Sequence, residues 1–321
     1  MARIALSQPS YAHEFLPSGS TLLDLCNGGG WGLGRVVNIV GDRAVGKTLI
    51  AIEACANFAK LYSPSRIRYN EVEAAFNRTY AESMGLPKNI SFCEDCATVE
   101  QFDKDLTEWL EAQKEDGPYL YVLDSLDALS DDAEMGREMG DATYGTGKAK
   151  ALSEMFRRRI SLLRDKRCLL MIISQIRDKI GVTFGETKTR SGGRALDFYA
   201  SQIVWLHAAE KITQQVSGVK RVVGVDVIAK NKKNKLGLPF REATFEILFN
   251  FGIDDESSMI DWLKANKGSI DPAVVAKELK TARVNQDREA VRAIAANLRT
   301  LTHARWHEIE AALTPPMRKY E

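Results

Sequence analysis

A glycine-rich segment near the start of the chain has the residue types and spacing of a phosphate-binding loop. Gly41-Asp-Arg-Ala-Val-Gly46-Lys47-Thr48 fits the pattern GxxxxGK[ST] between a β-branched run and an amphipathic run. In such a loop, backbone N–H groups and a helix N-terminus attract phosphate oxygens. Lys47 adds a charge for the β- and γ-phosphates, and the Thr48 hydroxyl is a ligand for Mg²⁺. The residues predicted to bind the nucleotide are Gly41, Asp42, Arg43, Ala44, Val45, Gly46, Lys47, Thr48 and Leu49.

A carboxylate stands at the end of a second apolar run. Tyr119-Leu-Tyr-Val-Leu123 is typical of a buried strand and is followed by Asp124-Ser125. Since ligands of parallel sheets bind at the carboxyl ends of the strands, Asp124 should lie beside the loop. We predict that it orients Mg²⁺ through a water molecule. The loop and the carboxylate together indicate nucleotide hydrolysis or transfer, which is common to many kinds of protein.

The surrounding sequence predicts an α/β fold. Short β-branched runs alternate with amphipathic runs, the pattern of a mostly parallel sheet flanked by helices. Predicted strands cover 35–40, 67–72, 90–93, 119–124 and 168–174, predicted helices cover 47–60, 99–112 and 148–164, and antiparallel additions cover 203–207, 222–229 and 243–248. We predict three parts: a short N-terminal arm (1–17), a phosphate-loop core (18–253), and a small helical domain with its tail (254–321). In the last part, Asp271-Pro272 is a predicted helix start, and Val291, Ile294, Leu298 and Leu301 mark one buried helix face.

Composition limits the function only weakly. With 321 residues and a net charge of +1, the chain can form a large core, but any DNA site must come from local clusters of Lys and Arg. No apolar run of about 18 residues and no secretory start are present, so we expect a cytoplasmic protein. The five cysteines are an odd number, which argues against a disulfide framework. Cys93 and Cys96 lack a second Cys/His pair at a suitable spacing for tetrahedral zinc, which favours two thiols at a strand end.

Five long stretches, in order between about Ser18 and Ile253, resemble the RecA recombinase family. They are PSGSTLLDLCNGGGWGLGR, EVEAAFNRTYAESMGL, LDSLDALSDDAEMGREMGD, SQIRDKIGVTFGETKTRSGGRALDFYAS and KKNKLGLPFREATFEILFNFGI. The resemblance implies a DNA-dependent ATPase that uses ATP and Mg²⁺. It also implies a filament on single-stranded DNA that pairs with homologous duplex DNA and exchanges strands.

The same resemblance assigns residues to the nucleotide. Glu73 would activate the attacking water, although Glu71 stands two residues away on the same strand and remains a rival. Tyr80 would stack on adenine. Asn77 would lie near the base, where the family usually has an aspartate. Gln175 would sense the γ-phosphate.

The resemblance also implies two DNA-binding segments. Residues 177–194 are basic and contain a Gly-Gly pair. This composition alone is also typical of a solvated surface segment, but together with the resemblance it favours a DNA-binding segment. The first DNA loop would lie at about 134–148, before a helix with two basic residues on one face. The predicted DNA-binding residues are Lys150, Arg157, Arg177, Ile180, Phe184, Arg190, Gly192, Gly193 and Arg194.

Self-association follows from the resemblance as well. Lys233 and Lys235 would reach the γ-phosphate of a neighbouring subunit, and Phe198 would lie at the interface. The run 230–235 repeats the same lysine pattern, so the choice of which two lysines match the family's pair remains open. The arm before Pro17 is shorter than the family's, which favours assembly that is weaker, differently organised or dependent on DNA, and suits a phage-encoded member. Two alternatives remain: a recombination mediator, or a ring-forming DNA motor, neither exchanging strands.

Overall fold

The computed structural model describes residues 14–73, 76–94, 96–136, 147–178, 188–190 and 192–315. Ile180 and Phe184, predicted to contact DNA, lie outside these residues, as does most of the predicted first DNA loop. No helix of the described ranges is both long and apolar enough to cross a membrane.

The described residues form twelve strands and ten α-helices. The strands are β1 (Phe15–Leu16), β2 (Trp31–Gly32), β3 (Val36–Gly41), β4 (Ile67–Glu71), β5 (Ser91–Cys93), β6 (Tyr119–Asp124), β7 (Cys168–Asp178), β8 (Lys188–Arg190), β9 (Gln202–Val216), β10 (Val219–Asn234), β11 (Glu242–Leu248) and β12 (Gly252–Asp254). The helices are α1 (Thr21–Asn27), α2 (Lys47–Leu61), α3 (Arg78–Ser83), α4 (Val99–Glu111), α5 (Asp132–Met135), α6 (Gly147–Asp165), α7 (Gly193–Tyr199), α8 (Asp255–Ala265), α9 (Pro272–Val284) and α10 (Arg288–Leu313).

One large mixed sheet organises the molecule. Its strand order is β12-β11-β10-β9-β3-β7-β6-β4-β5, with β8 paired to β7. The strands from β9 to β5 run parallel, and β10, β11 and β12 add antiparallel pairs on the other side of β9. This arrangement confirms the predicted α/β fold with a mostly parallel central sheet and a helical C-terminal region.

The strand register brings the predicted site residues to one edge of the sheet. Gly41, at the end of β3, lies opposite Gln175 in β7. Glu71, at the end of β4, lies opposite Asp124 in β6. Because all four strands are parallel, their carboxyl ends meet at this edge, where the topology predicts a ligand site.

Both faces of the parallel sheet are covered. Ile39 and Tyr69 pack with Phe58 of α2 on one face. Val40 and Tyr121 pack with residues of α4 and α6 on the other. Alternate residues of each strand therefore enter different cores, which explains why these strands read as continuous apolar runs.

The hairpin of β9 and β10 is much longer than the sequence predicted. Its outer part, around Thr213 and Lys220, is exposed, so no alternating apolar pattern marks it as strand. The two-residue turn at its tip has positive φ at both positions, 50° at Ser217 and 82° at Gly218, which suits the twist of a tight hairpin.

The three C-terminal helices share an apolar cluster of their own. Met259, Leu263, Leu279 and Leu298 are buried in it, and the other members of the predicted face on α10 pack against it. The Asp271 side chain accepts hydrogen bonds from two backbone N–H groups at the start of α9. The helix therefore begins where the Asp-Pro pair predicts.

Candidate nucleotide-binding site

The glycine-rich loop joins β3 to α2 in the predicted manner. Gly46 has φ 88°, and a Cβ there would collide with Cδ1 of Ile247. A Cβ on Gly41 would lie 2.6 Å from Cγ2 of Val45. The tight curl of the loop thus depends on glycine at both ends, as a backbone that wraps a phosphate requires.

Lys47 folds back over this loop. Its Nζ donates to the carbonyl oxygen of Asp42 at 2.7 Å. Burial lowers the pKa of Lys47, an effect opposed by the nearby carboxylates, Asp124 and Glu73 first among them. An anion in the loop would compete with the Asp42 carbonyl for this ammonium group.

Thr48 and Asp124 form the oxygen-rich part of the site. Thr48 Oγ1 donates to Asp124 Oδ2 at 2.8 Å, and the Tyr69 hydroxyl donates to the same oxygen at 2.9 Å. Asp124 is 8% exposed, and burial raises its pKa, with the charges of Glu73 and Glu71 acting in the same direction. A buried carboxylate beside a hydroxyl suits a hard divalent cation, so these residues fit Mg²⁺.

Glu73 and Gln175 are directly linked. Gln175 Nε2 donates to Glu73 Oε1 at 2.9 Å, and Ser125 Oγ donates to the same oxygen at 2.5 Å. The backbone N–H of Gln175 donates to Asp127 Oδ2 at 2.6 Å, and Asp127 pairs with Arg177 at 3.1 Å. The predicted base and the predicted sensor therefore share one hydrogen-bond network with the start of the basic segment.

A cavity of about 490 Å³ opens beside these groups. Tyr80, 48% exposed, lies on its wall, and the Asn77 side chain accepts the Tyr80 N–H at 2.9 Å, which caps α3. The described lining residues include Lys47, Thr48, Glu71, Glu73, Phe76, Asn77, Tyr80, Asp124, Ile247 and Phe249. The lining combines charged and polar side chains with apolar and aromatic ones, a combination that accommodates a phosphate chain and a planar base.

Three residues in this region were missed by the sequence analysis. Tyr69 precedes Glu71 by two positions and so faces the same side of β4, a period-2 signal that was available. Ser125 and Asp127 directly follow the strand that ends in Asp124, at the edge where the site was expected. Their partners, Glu73, Gln175 and Arg177, are far away in the sequence, so only the fold identifies the contacts.

Lys233 and Lys235 lie together on a different surface. Lys233 Nζ donates to the carbonyl oxygens of Asp197 and Phe198, and Lys235 Nζ is 3.4 Å from the same Phe198 oxygen. Phe198 is 70% exposed. Neither lysine is among the described residues that line the cavity.

The predicted DNA-binding residues divide into exposed and buried groups. Lys150 and Arg157 are exposed on α6, and Arg177, Gly193 and Arg194 are exposed around β7 and the start of α7. Arg190 is 9% exposed and pairs with Asp197 at 2.9 Å. Gly192 is buried, with a hypothetical Cβ 2.8 Å from Leu126 and Leu196. In this conformation Arg190 and Gly192 do not present their groups to solvent.

The comparisons with known proteins point to one family. The sequence pattern described as the RecA N-terminal domain matches residues 3–254. The chain is 36% identical over 249 residues to Protein RecA of Borrelia duttonii, covering 77% of this chain and 66% of that protein. It is 34% identical over 255 residues to Protein RecA of Streptomyces avermitilis, covering 79% and 65%. The chain thus spans slightly less than two thirds of these relatives, and over that span it belongs to the RecA family.

Proposed function

We propose that this chain is an ATP-hydrolysing recombinase that forms a filament on single-stranded DNA and pairs it with homologous duplex DNA. The observation that carries the proposal is the position of Gln175. Its side chain bonds to Glu73 beside the nucleotide cavity, and its main chain bonds to Asp127, which holds Arg177. One residue therefore connects the nucleotide to the basic segment.

In the proposed reaction, the loop and Lys47 hold the phosphates of ATP while Tyr80 and Asn77 border the base. Mg²⁺, held by Thr48 and through water by Asp124, would neutralise charge on the β- and γ-phosphates. Glu73 accepts the proton of the water that attacks the γ-phosphorus. Ser125 fixes the orientation of that carboxylate through its 2.5 Å hydrogen bond.

The proposed switch follows from competition for the Gln175 amide. When ATP is bound, the γ-phosphate draws the amide away from Glu73. After hydrolysis that partner is lost and the amide returns. This exchange would order and release the segment 177–194, as γ-phosphate contacts do in other switch segments. Its basic residues, with Lys150 and Arg157, would bind DNA phosphates, and Ile180 and Phe184 would contact bases.

Assembly completes the proposed site. Lys233 and Lys235 would act on the γ-phosphate of the adjacent subunit, with Phe198 at the interface, because cations supplied by a neighbour stabilise charge in phosphoryl transfer. Their shared contact with the end of α7 groups these two lysines and separates them from Lys230, which pairs with Glu242, and from Lys232, which lies over Trp205. This grouping supports 233 and 235 as the correct register.

Replacing Lys233 or Lys235 by alanine is expected to reduce DNA-stimulated ATP turnover at least about tenfold, because each substitution removes a cation that would stabilise negative charge in the transition state. Turnover is measured at saturating ATP and DNA, with nucleotide binding by the isolated subunit measured in parallel. Binding should stay within about twofold of wild type. Lys232→Ala, which makes the same charge change next to Lys233 on β10, is the matched control. Wild-type turnover in both variants would remove the trans-subunit role.

The overall proposal is tested by ATP turnover with and without single-stranded DNA. DNA should raise the rate, and the stimulation should fall steeply between about 50 and 200 mM salt because phosphate contacts release counterions. Electron microscopy with an ATP analogue should show helical filaments on the DNA. Turnover indifferent to DNA would contradict the proposal. Rings in place of filaments would favour a motor, and failure of the filaments to form joint molecules would favour a mediator.

A further inference from the structure

A cluster of potential metal ligands lies at the outer edge of the sheet, away from the nucleotide cavity. Cys93 ends β5, Cys96 follows in the connection to α4, and Asp105 lies within α4. The two Sγ atoms and one carboxylate oxygen all lie within 4.8 Å of one another. Tetrahedral zinc, with Zn–S bonds of about 2.3 Å, holds its ligand atoms about 3.5–3.8 Å apart. A small contraction would bring the three groups to that spacing.

A buried amide in the same place lacks a hydrogen-bond partner for its oxygen. Asn70 lies directly opposite Cys93 in the β4–β5 pairing and is 1% exposed. Its Nδ2 donates to the Tyr121 hydroxyl at 3.4 Å and faces the Cys96 thiol, so a half-turn of the amide would bring Oδ1 toward the cysteines. Its Oδ1 has no partner among the described residues. An unpaired buried acceptor costs about 1–3 kcal/mol, so this oxygen calls for a ligand that the described residues do not supply.

The surroundings of Asp105 are those of an oriented ligand. Arg68 binds both carboxylate oxygens of Asp105, with Nε donating to Oδ2 at 2.8 Å and Nη2 donating to Oδ1, and the Tyr121 hydroxyl donates to Oδ2 at 2.7 Å. Such outer contacts fix the direction of metal-binding carboxylates. Two thiolates and the Asp105 carboxylate would balance the combined charge of Arg68 and a dication, so occupancy would leave no net charge at this partly buried position.

We propose that Cys93, Cys96 and Asp105, with the Asn70 amide oxygen as the fourth ligand, form a structural binding site for Zn²⁺. Thiolate with oxygen or nitrogen donors is a ligand set that zinc accepts. The ion ties β4 and β5 to α4. Because Asn70 directly precedes Glu71, the ion also fixes the end of β4 from which the chain continues to Glu73.

Sequence spacing alone does not reveal this site. The Cys-x-x-Cys pair is visible, but the remaining ligands are an aspartate and an asparagine that no zinc-binding pattern contains. Asp105 lies near the cysteines because it is in the second turn of α4, and Asn70 lies near them because β4 pairs with β5. The fold therefore brings two further ligands, Asp105 and Asn70, to the cysteine pair, and a search of the sequence for a second Cys/His pair does not find them.

The test uses the full chain, stripped of metal under reducing conditions and titrated with Zn²⁺, and with Co²⁺ as a spectroscopic probe. One equivalent should bind saturably, Co²⁺ should give a near-ultraviolet thiolate band, and Zn²⁺ should raise the thermal midpoint. Cys93→Ser/Cys96→Ser should lose the band, and Asn70→Ala should bind at least about 10- to 100-fold more weakly, because loss of a ligand costs no less than loss of an outer contact that orients one. Cys26→Ser is the matched control because a hydroxyl can keep the thiol's contact with the Arg241 carbonyl oxygen.

A measurement on the unaltered protein makes the result independent of how the variants fold. Zn²⁺ should protect Cys93 and Cys96 from alkylation, located by mass spectrometry, with Cys26, Cys55 and Cys168 as internal references. Failure of the wild type to bind one equivalent would overturn the proposal. So would unchanged alkylation of both thiols at saturating Zn²⁺.

Discussion

Replacing Lys47 by alanine is expected to abolish ATP binding at micromolar nucleotide. In the proposed site Lys47 carries the charge that binds the β- and γ-phosphates, and its side chain is already half-buried among carboxylates. Removing one partner of a desolvated charge pair costs about 2–5 kcal/mol, or roughly 30- to 4,000-fold in Kd. Titration of the protein with a fluorescent ATP analogue measures this loss directly.

The control for this prediction lies on the same helix. Lys60, near the end of α2, is exposed and contacts only Asn57 in the described hydrogen bonds. Lys60→Ala makes the same change of charge and helix propensity outside the cavity, so its Kd should match that of wild type. Tight nucleotide binding by Lys47→Ala would show that the loop backbone alone holds the phosphates.

The phosphate loop could be predicted from the sequence because all of its determinants are local. Gly41 and Gly46 allow the curl, and the adjoining β-branched and amphipathic runs specify the strand and the helix. The buried strands could be predicted equally well, because both of their faces pack in apolar cores and every residue from Tyr119 to Leu123 is buried. The fold class therefore followed from periodicity and connection alone.

Contacts between distant segments could not be derived in the same way. The hydrogen bonds of Glu73 with Ser125 and Gln175 join three strand ends that are 50 or more residues apart. The outer part of the β9–β10 hairpin was not predicted because its exposed strands lack an apolar face. Arg190 was predicted to contact DNA from its charge, but its burial against Asp197 depends on the packing of α7. Each of these features depends on tertiary placement, which residue types alone do not encode.

Replacing Glu73 by glutamine is expected to slow ATP hydrolysis about 10²- to 10⁴-fold while leaving ATP bound. An amide cannot take the proton of the attacking water, but its oxygen can still accept the hydrogen bonds that Ser125 and Gln175 donate to Glu73 Oε1. The substitution therefore removes the base and preserves the network. Since the γ-phosphate persists, Gln175 stays in its ATP-bound position. Single-turnover hydrolysis measures the chemical step.

The DNA affinity of the same variant separates this role from a merely structural one. With ATP and Mg²⁺ present, Glu73→Gln should stay on single-stranded oligonucleotide after wild type has hydrolysed its nucleotide and dissociated, which fluorescence anisotropy follows in time. Glu71→Gln is the matched comparison, because Glu71 lines the same cavity and the substitution makes the same change of charge two residues earlier in the chain. Rapid hydrolysis by Glu73→Gln together with slow hydrolysis by Glu71→Gln would transfer the base to Glu71.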